Sequence, residues 1–241
     1  MKKIIASFLI TLAITSTLKA QQTITFASKD GVTVTADLYF INDTLPYMIL
    51  CHQAGYSRGE YKETGPKFTK FKYNCIAVDL RSGEEINDVK NETAKAAMEA
   101  NKAVSYLDAE QDIVAAIDYV SKKNNKKVIL VGSSYSASLV LKIGASDTRV
   151  KAVIAFSPGE YFGRKFKLKE SIKSLDKPVF ITSAKDEAPD VTKIFKEIKS
   201  SSKQQFIPIE QGAHGSKALW KSTSNHGEYW ISLFMFMRNV K

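Results

Sequence analysis

The sequence predicts an α/β fold with a mainly parallel central sheet, helices on both faces, an N-terminal antiparallel hairpin and little or no lid. Three observations carry that expectation. The chain opens with two alternating segments around an Asp-Gly turn. Six short, almost continuous apolar runs follow. Amphipathic stretches of helical period separate them.

The hairpin is read from Thr23–Phe26 and Val32–Phe40, which flank Lys29-Asp30-Gly31. Asp-Gly between alternating segments is a strong turn signal, because both residues accept the positive φ that a tight hairpin needs. The apolar runs are 47–51, 75–79, 127–131, 152–156, 178–182 and 205–209. Runs with no polar face suit parallel strands buried on both sides. Between them, 91–107, 112–120, 137–145 and 191–198 read as helices, and 226–237 as a final amphipathic helix.

Residues 1–20 have the layout of a signal peptide: Lys2 and Lys3, an apolar run from Ile4 to Leu18, then Ala20 before Gln21. The run falls short of the roughly 20 residues a membrane span requires. Cleavage after Ala20 is therefore expected, giving an exported protein, periplasmic or secreted, with residues 21–241 as one domain and no stable membrane insertion. The formal charge is +10, about +7 once the three leader lysines are removed. The lysines are scattered and no nucleic-acid motif accompanies them, so the charge reads as a solvated surface.

Only Cys51 and Cys75 are present. They fall at opposite ends of neighbouring strands, roughly 13 Å apart, whereas a disulfide needs Cα atoms within about 7 Å. Two buried free thiols are expected.

The segment Val128–Val140 places Gly132-Ser133-Ser134-Tyr135-Ser136 between a buried strand and a helix. A sharp strand-to-helix turn of this kind pushes one serine out above the sheet, and counting from Gly132 makes that serine Ser134. A plain junction with serine as helix cap is the competing reading. A serine hydroxyl needs a base, and the base an orienting acid. Of the three histidines, His214 lies in the loop after the last apolar run. His52 is better placed to shape a loop, and His226 to sit near a helix cap. Asp186 comes first after the run ending near Thr182 and is read as the acid, with Glu187 and Asp190 as alternatives. The order Ser134, Asp186, His214 is that of α/β-hydrolases. An oxyanion needs backbone N–H donors. Tyr135 supplies one and Ala54 the second, with Gln53 next in line.

These motifs resemble the α/β-hydrolase superfamily, and the chain is most similar to its dienelactone-hydrolase-like and small esterase-like members. Leu50–Gly55 resembles the family's strand and "HG" oxyanion loop, with Gln53 in place of a glycine. Val78–Gly83 is similar to its "D-x-R-G-x-G" turn, with Ser82 in place of a glycine. Gly132–Ser136 resembles its elbow, with Ser136 in place of a glycine. The resemblance implies hydrolysis of an ester, less often an amide or thioester, with no metal or cofactor. The partner expected is a small-molecule ester, cleaved through an acyl-enzyme.

The stretch from Ser157 to Leu175 is too short for a substantial lid, so Gln53, Tyr56, Tyr161 and Phe162 are expected to line an open site suited to small or medium acyl groups. A peptidase or acyltransferase using the same triad, or a non-catalytic binding protein of the same fold, are the competing readings. Histidines at 52, 214 and 226 show no metal-ligand spacing.

Overall fold

The computed structural model describes residues 21–240; the leader expected over 1–20 lies outside them. Ten strands run in chain order as β1 (Gln22–Ala27), β2 (Thr33–Tyr39), β3 (Tyr47–Cys51), β4 (Asn74–Val78), β5 (Glu85–Ile86), β6 (Val89–Lys90), β7 (Val128–Ser133), β8 (Val150–Phe156), β9 (Val179–Thr182) and β10 (Lys203–Phe206). The helices are α1 (Gly65–Phe68), α2 (Glu92–Glu99), α3 (Glu110–Asn124), α4 (Tyr135–Ser146), α5 (Leu168–Ser171), α6 (Ala188–Glu197) and α7 (His226–Asn239). Eight strands form one sheet in the order β1-β2-β4-β3-β7-β8-β9-β10, and β5 and β6 form a separate short ribbon.

The antiparallel hairpin forms where Asp30-Gly31 predicts it, with Gly31 at φ +87°. β2 then pairs antiparallel with β4, and every remaining pairing in the eight-stranded sheet is parallel. Alternate residues of the central strands feed two cores. Ile49, Ile76, Leu130 and Val153 face α3, α4 and α6, whereas Met48, Leu50, Ile129 and Ile154 face α1 and α7. These strands are largely apolar because both faces are covered.

Two elements differ from the sequence reading. The helix expected over 91–107 ends at Glu99, because Asn101 turns left-handed at φ 52° and the Lys102 amide closes back on the Ala97 carbonyl. The last strand is Lys203–Phe206, not 205–209. Pro208 has no amide to give a ladder, and Ile207 and Ile209 are exposed. Cys51 and Cys75 are buried and free: in the parallel pairing Cys75 lies opposite Met48, three residues before Cys51.

The hairpin is locked to the rest by one charged cluster. Arg81, after β4, is fully buried and bonds both oxygens of Asp112 on α3 and both oxygens of Asp30 in the hairpin turn. The Asp112 carboxylate is also fully buried. Removing one partner of such a pair leaves an uncompensated charge out of water, which costs on the order of 3–5 kcal/mol. Arg81→Met should therefore lower the urea-unfolding free energy by about that amount. The double change Arg81→Met with Asp112→Leu should recover much of the loss.

Candidate active site

Because β3, β7, β8, β9 and β10 are neighbouring parallel strands, their C-terminal ends open on one edge of the sheet. That edge of an open α/β sheet is where ligands bind. The loops leaving these strands carry His52–Ala54, Ser134, Ser157, Glu187 and His214.

Ser134 sits between β7 and α4 at φ 59°, ψ −122°. An L-residue rarely adopts this conformation, which costs of order 1–3 kcal/mol and persists only where the surroundings enforce it. They do so here. A Cβ on Gly132 would lie 2.6 Å from Ala137 Cα and from the Ser136 carbonyl, so only glycine lets strand and helix meet this closely. The Ser134 amide donates to the Phe156 carbonyl on β8 (2.8 Å). Ser136, where the family has glycine, accepts the Ser133 amide at Oγ (2.9 Å) and lies 2.9 Å from the Cys51 carbonyl, to which its hydroxyl can donate. The replacement thus cross-links the turn to β3.

The Ser134 hydroxyl donates to His214 Nε2 (2.8 Å), and the other ring nitrogen, Nδ1, donates to Glu187 Oε1. This corrects the expected acid: the structure brings Glu187, not Asp186, to the imidazole. The reason is a tight turn after β9. The Glu187 amide folds back to the Ala184 carbonyl, and the Ala184 amide donates to Glu187 Oε2 (3.0 Å). Glu187 therefore lies over the strand end, and Asp186 faces solvent. Asp190 is also exposed, in a pair with Lys193.

Ser157 is a site residue that the sequence reading missed. Its Oγ donates to Glu187 Oε2 (2.6 Å) and accepts the Gly215 amide (3.0 Å), bridging the acid and base loops. A polar residue directly after an apolar run was the only signal for it. The base loop is bent by Gly212 and Gly215, both at positive φ.

The hydrogen bond to Glu187, the Glu187 charge, and the more distant Glu60 and Asp186 raise His214 above the usual histidine range, against partial desolvation. Reciprocally, bonds from His214 and Ser157 hold the Glu187 carboxyl low, although burial opposes them. His52 has a different part. It is fully buried, with Nδ1 2.7 Å from the Gln53 carbonyl and Nε2 accepting the Leu80 amide (2.8 Å). Burial pushes it down to about 4, so it is a neutral brace for the loop after β3. His226 contacts the Thr223 carbonyl at the start of α7, as expected for a cap neighbour.

In the oxyanion region, Tyr135 is the first residue of α4, so its amide has no i−4 carbonyl within the helix. The Gln53 amide already donates to Glu60 (2.7 Å), which leaves Ala54 as the candidate amide from this loop. The Gln53 side chain packs beside Gly215, next to His214. Tyr56 stacks on Trp220 with ring centroids 6.3 Å apart. Tyr161 is exposed on the rim of the site. Its hydroxyl donates to the Ser157 carbonyl (2.8 Å), and partial burial raises the phenol above its ordinary range. Phe162 is a correction: it turns inward, packs edge-on to Phe166 and joins the core, so it lines no open site. Among the described residues no cluster of His, Cys, Asp and Glu could hold a metal ion.

An eight-stranded, mainly parallel sheet with a strained serine at the β7–α4 turn defines the chain as an α/β-hydrolase. Residues 42–215 match the dienelactone hydrolase family, and the chain belongs to that family. No curated protein matches the sequence significantly. Among solved structures, an esterase from Pyrococcus furiosus is similar at 14% identity over 92% of this chain and 91% of its own, with a TM-score of 0.65. A dienelactone hydrolase from Anabaena variabilis is similar at 14% identity over 92% and 99%, with a TM-score of 0.68. An esterase domain from Rhodothermus marinus aligns at 15% identity over 92% and 100%, with a TM-score of 0.63. At these identities the shared feature is the fold; family membership makes the chain a hydrolase.

The two acidic neighbours give a direct test. Glu187→Gln should lower kcat/KM for a simple ester on the order of 10²–10⁴-fold, the range of a lost acid–base partner. Asp186→Asn should stay within about threefold of wild type, because it removes only a screened surface charge. Steady-state kinetics on both variants checks the assignment.

Proposed function

We propose that the protein is an exported serine esterase that cleaves small to medium acyl esters, with Ser134 as nucleophile, His214 as base and Glu187 as orienting acid. The observation that carries this reading is the unbroken hydrogen-bond chain from Ser134 Oγ through His214 to Glu187. Ser134 Oγ attacks the acyl carbon as its proton passes to His214 Nε2. Glu187 holds the Nδ1–H tautomer and stabilises the imidazolium. The Tyr135 and Ala54 amides meet the oxyanion, each contributing on the order of 10²–10³ in rate. His214 then gives its proton to the leaving alkoxide. Water enters, loses a proton to His214, attacks the acyl-enzyme and releases the acid.

Substrate size is argued from the rim. The segment after β8 holds only the four-residue α5, whose first amides are capped by Glu160 (2.8 and 3.1 Å). It brings Tyr161 to the site and holds no element of lid size. Tyr56, Trp220 and Tyr161 offer aromatic walls without enclosure, and long acyl chains gain little from an open cleft. Family membership and the esterases among the similar structures support an ester over an amide. The leader read in residues 1–20 supports export.

A fluorophosphonate probe should label the purified protein at Ser134, located by mass spectrometry, with no label in Ser134→Ala. An adduct on Ser133 or Ser136, or none on well-folded protein, would defeat this reading. The pH profile follows from His214, which acts only when neutral and whose pKa is raised. Its proton is held until the pH passes a value above the ordinary 6.5, so kcat/KM should climb through a midpoint above 6.5 and collapse below it. In Glu187→Gln that midpoint should move down, since the largest raising influence is gone.

A further inference from the structure

Glu60 is fully buried and lies outside the triad, yet three segments of the site converge on it. Its Oε2 accepts the Gln53 amide (2.7 Å) from the loop after β3. Its Oε1 accepts the Ser133 hydroxyl (2.7 Å), from the residue before Ser134, and the Ser216 hydroxyl (2.6 Å), two residues after His214. The Ser216 amide donates in turn to Ser133 Oγ (2.8 Å), which commits the Ser133 proton to Glu60. A side chain on Gly215 would strike Ser133 Oγ, so the His214 loop lies flush against this knot. The Glu60 backbone is pinned as well: its carbonyl accepts Trp220 Nε1–H (2.9 Å) and its amide donates to the Ser57 carbonyl (3.0 Å).

We propose that Glu60 is a positioning residue of the site, a buried carboxylate that ties the oxyanion loop, the nucleophile turn and the histidine loop into one unit. This rests on the esterase reading of Ser134 and His214. Each of its three bonded partners is a donor, the surroundings an ionised carboxylate needs. No lysine or arginine among the described residues pairs with it. A buried carboxylate without a cation is costly to keep, and the three donors bonded to it offset part of that cost. What the carboxylate adds is a shared acceptor that holds donors of the three loops in register, together with a negative charge that acts on the imidazole. The groups acting on His214 are Glu187 and Asp186 from the β9–α6 loop and Glu60 from the segment after β3. Burial raises the Glu60 carboxyl above its usual range, and the bonds from Ser216, Gln53 and Ser133 together with the His214 charge oppose that rise; Tyr61 lies beside it in the chain and Cys51 at the end of β3.

The test compares wild type with Glu60→Gln, a change that keeps the shape. The amide oxygen can still accept the Gln53 amide, and the new NH₂ can donate to hydroxyls that turn to accept. The variant is expected to fold, with a urea midpoint near wild type. Two readouts then decide. By ¹H–¹⁵N NMR, simple because the chain has three histidines, the His214 pKa should fall. With p-nitrophenyl acetate, kcat should fall roughly 10–100-fold at a KM within about threefold, as for a lost transition-state alignment. A His214 titration unchanged in Glu60→Gln overturns the proposal even if activity drops, since loss of packing alone would not move it. Wild-type kcat in the folded variant overturns it also. If the wild type takes no fluorophosphonate at Ser134, the esterase reading fails, whereas the His214 titration still decides the electrostatic tie.

Discussion

The turn at Ser134 is the constraint on which the rest of the site depends. A strand must become a helix within one residue, and the strained φ of 59° is what turns the hydroxyl outward. Such strain survives only if the surroundings leave no alternative. Gly132 allows strand and helix to touch, the Phe156 carbonyl takes the Ser134 amide, and Ser136 binds across to β3. Strained geometry on β7 is thus enforced from both neighbouring strands. The same parallel register brings the ends of β8, β9 and β10 alongside, where Ser157, Glu187 and His214 complete the arrangement.

The three positions where this chain departs from its family's glycines share a physical logic. Glycine gives a loop room and conformational freedom, at the cost of a floppier unfolded chain. At each position a polar side chain makes a specific contact instead. Ser136 bonds across the elbow, the Ser82 hydroxyl meets Tyr135 Oη (2.5 Å), and Gln53 packs on Gly215. Tyr135 is held further by stacking on Tyr106, with centroids 4.5 Å apart. Its amide is the proposed oxyanion donor, so fixing its side chain also fixes the direction of that N–H. Loop freedom is exchanged for preorganisation, which favours catalysis when donors must already point where charge will develop.

The fold was legible because two-sided burial writes itself into composition: strands such as Tyr47–Cys51 and Val128–Val131 carry no polar residue at all. Ser134 was placed by the apolar run just before it, whereas His214 was placed by the run read over 205–209, although the strand there is the half-buried Lys203–Phe206. The acid was not legible. Asp186 and Glu187 are adjacent and both acidic, and what separates them is the turn at Ala184–Glu187, set by backbone hydrogen bonds that no residue count reports. Phe162 fails for the reverse reason. An aromatic beside a site reads as a wall, but its partner Phe166 lies four residues on and the pair closes into the core. Ser157 and Glu60 were hidden because their importance is wholly tertiary. Glu60 meets Ser216 across 156 residues of sequence, and nothing local marks it.

The charge balance at His214 ties these threads together. A base is most effective when its pKa lies near the working pH, because a higher value strengthens proton abstraction and empties the reactive neutral form. Glu187, Glu60 and Asp186 all raise His214, and only partial desolvation opposes them. The site is therefore biased toward a strong base that needs neutral to alkaline surroundings to be free of its proton. Exposure of the imidazole moderates this bias, since water screens the surface carboxylate Asp186 more than the less exposed Glu187 and Glu60. In the proposed arrangement the direct bond from Glu187 orients the ring, and the buried carboxyl of Glu60 acts on the field in which it titrates.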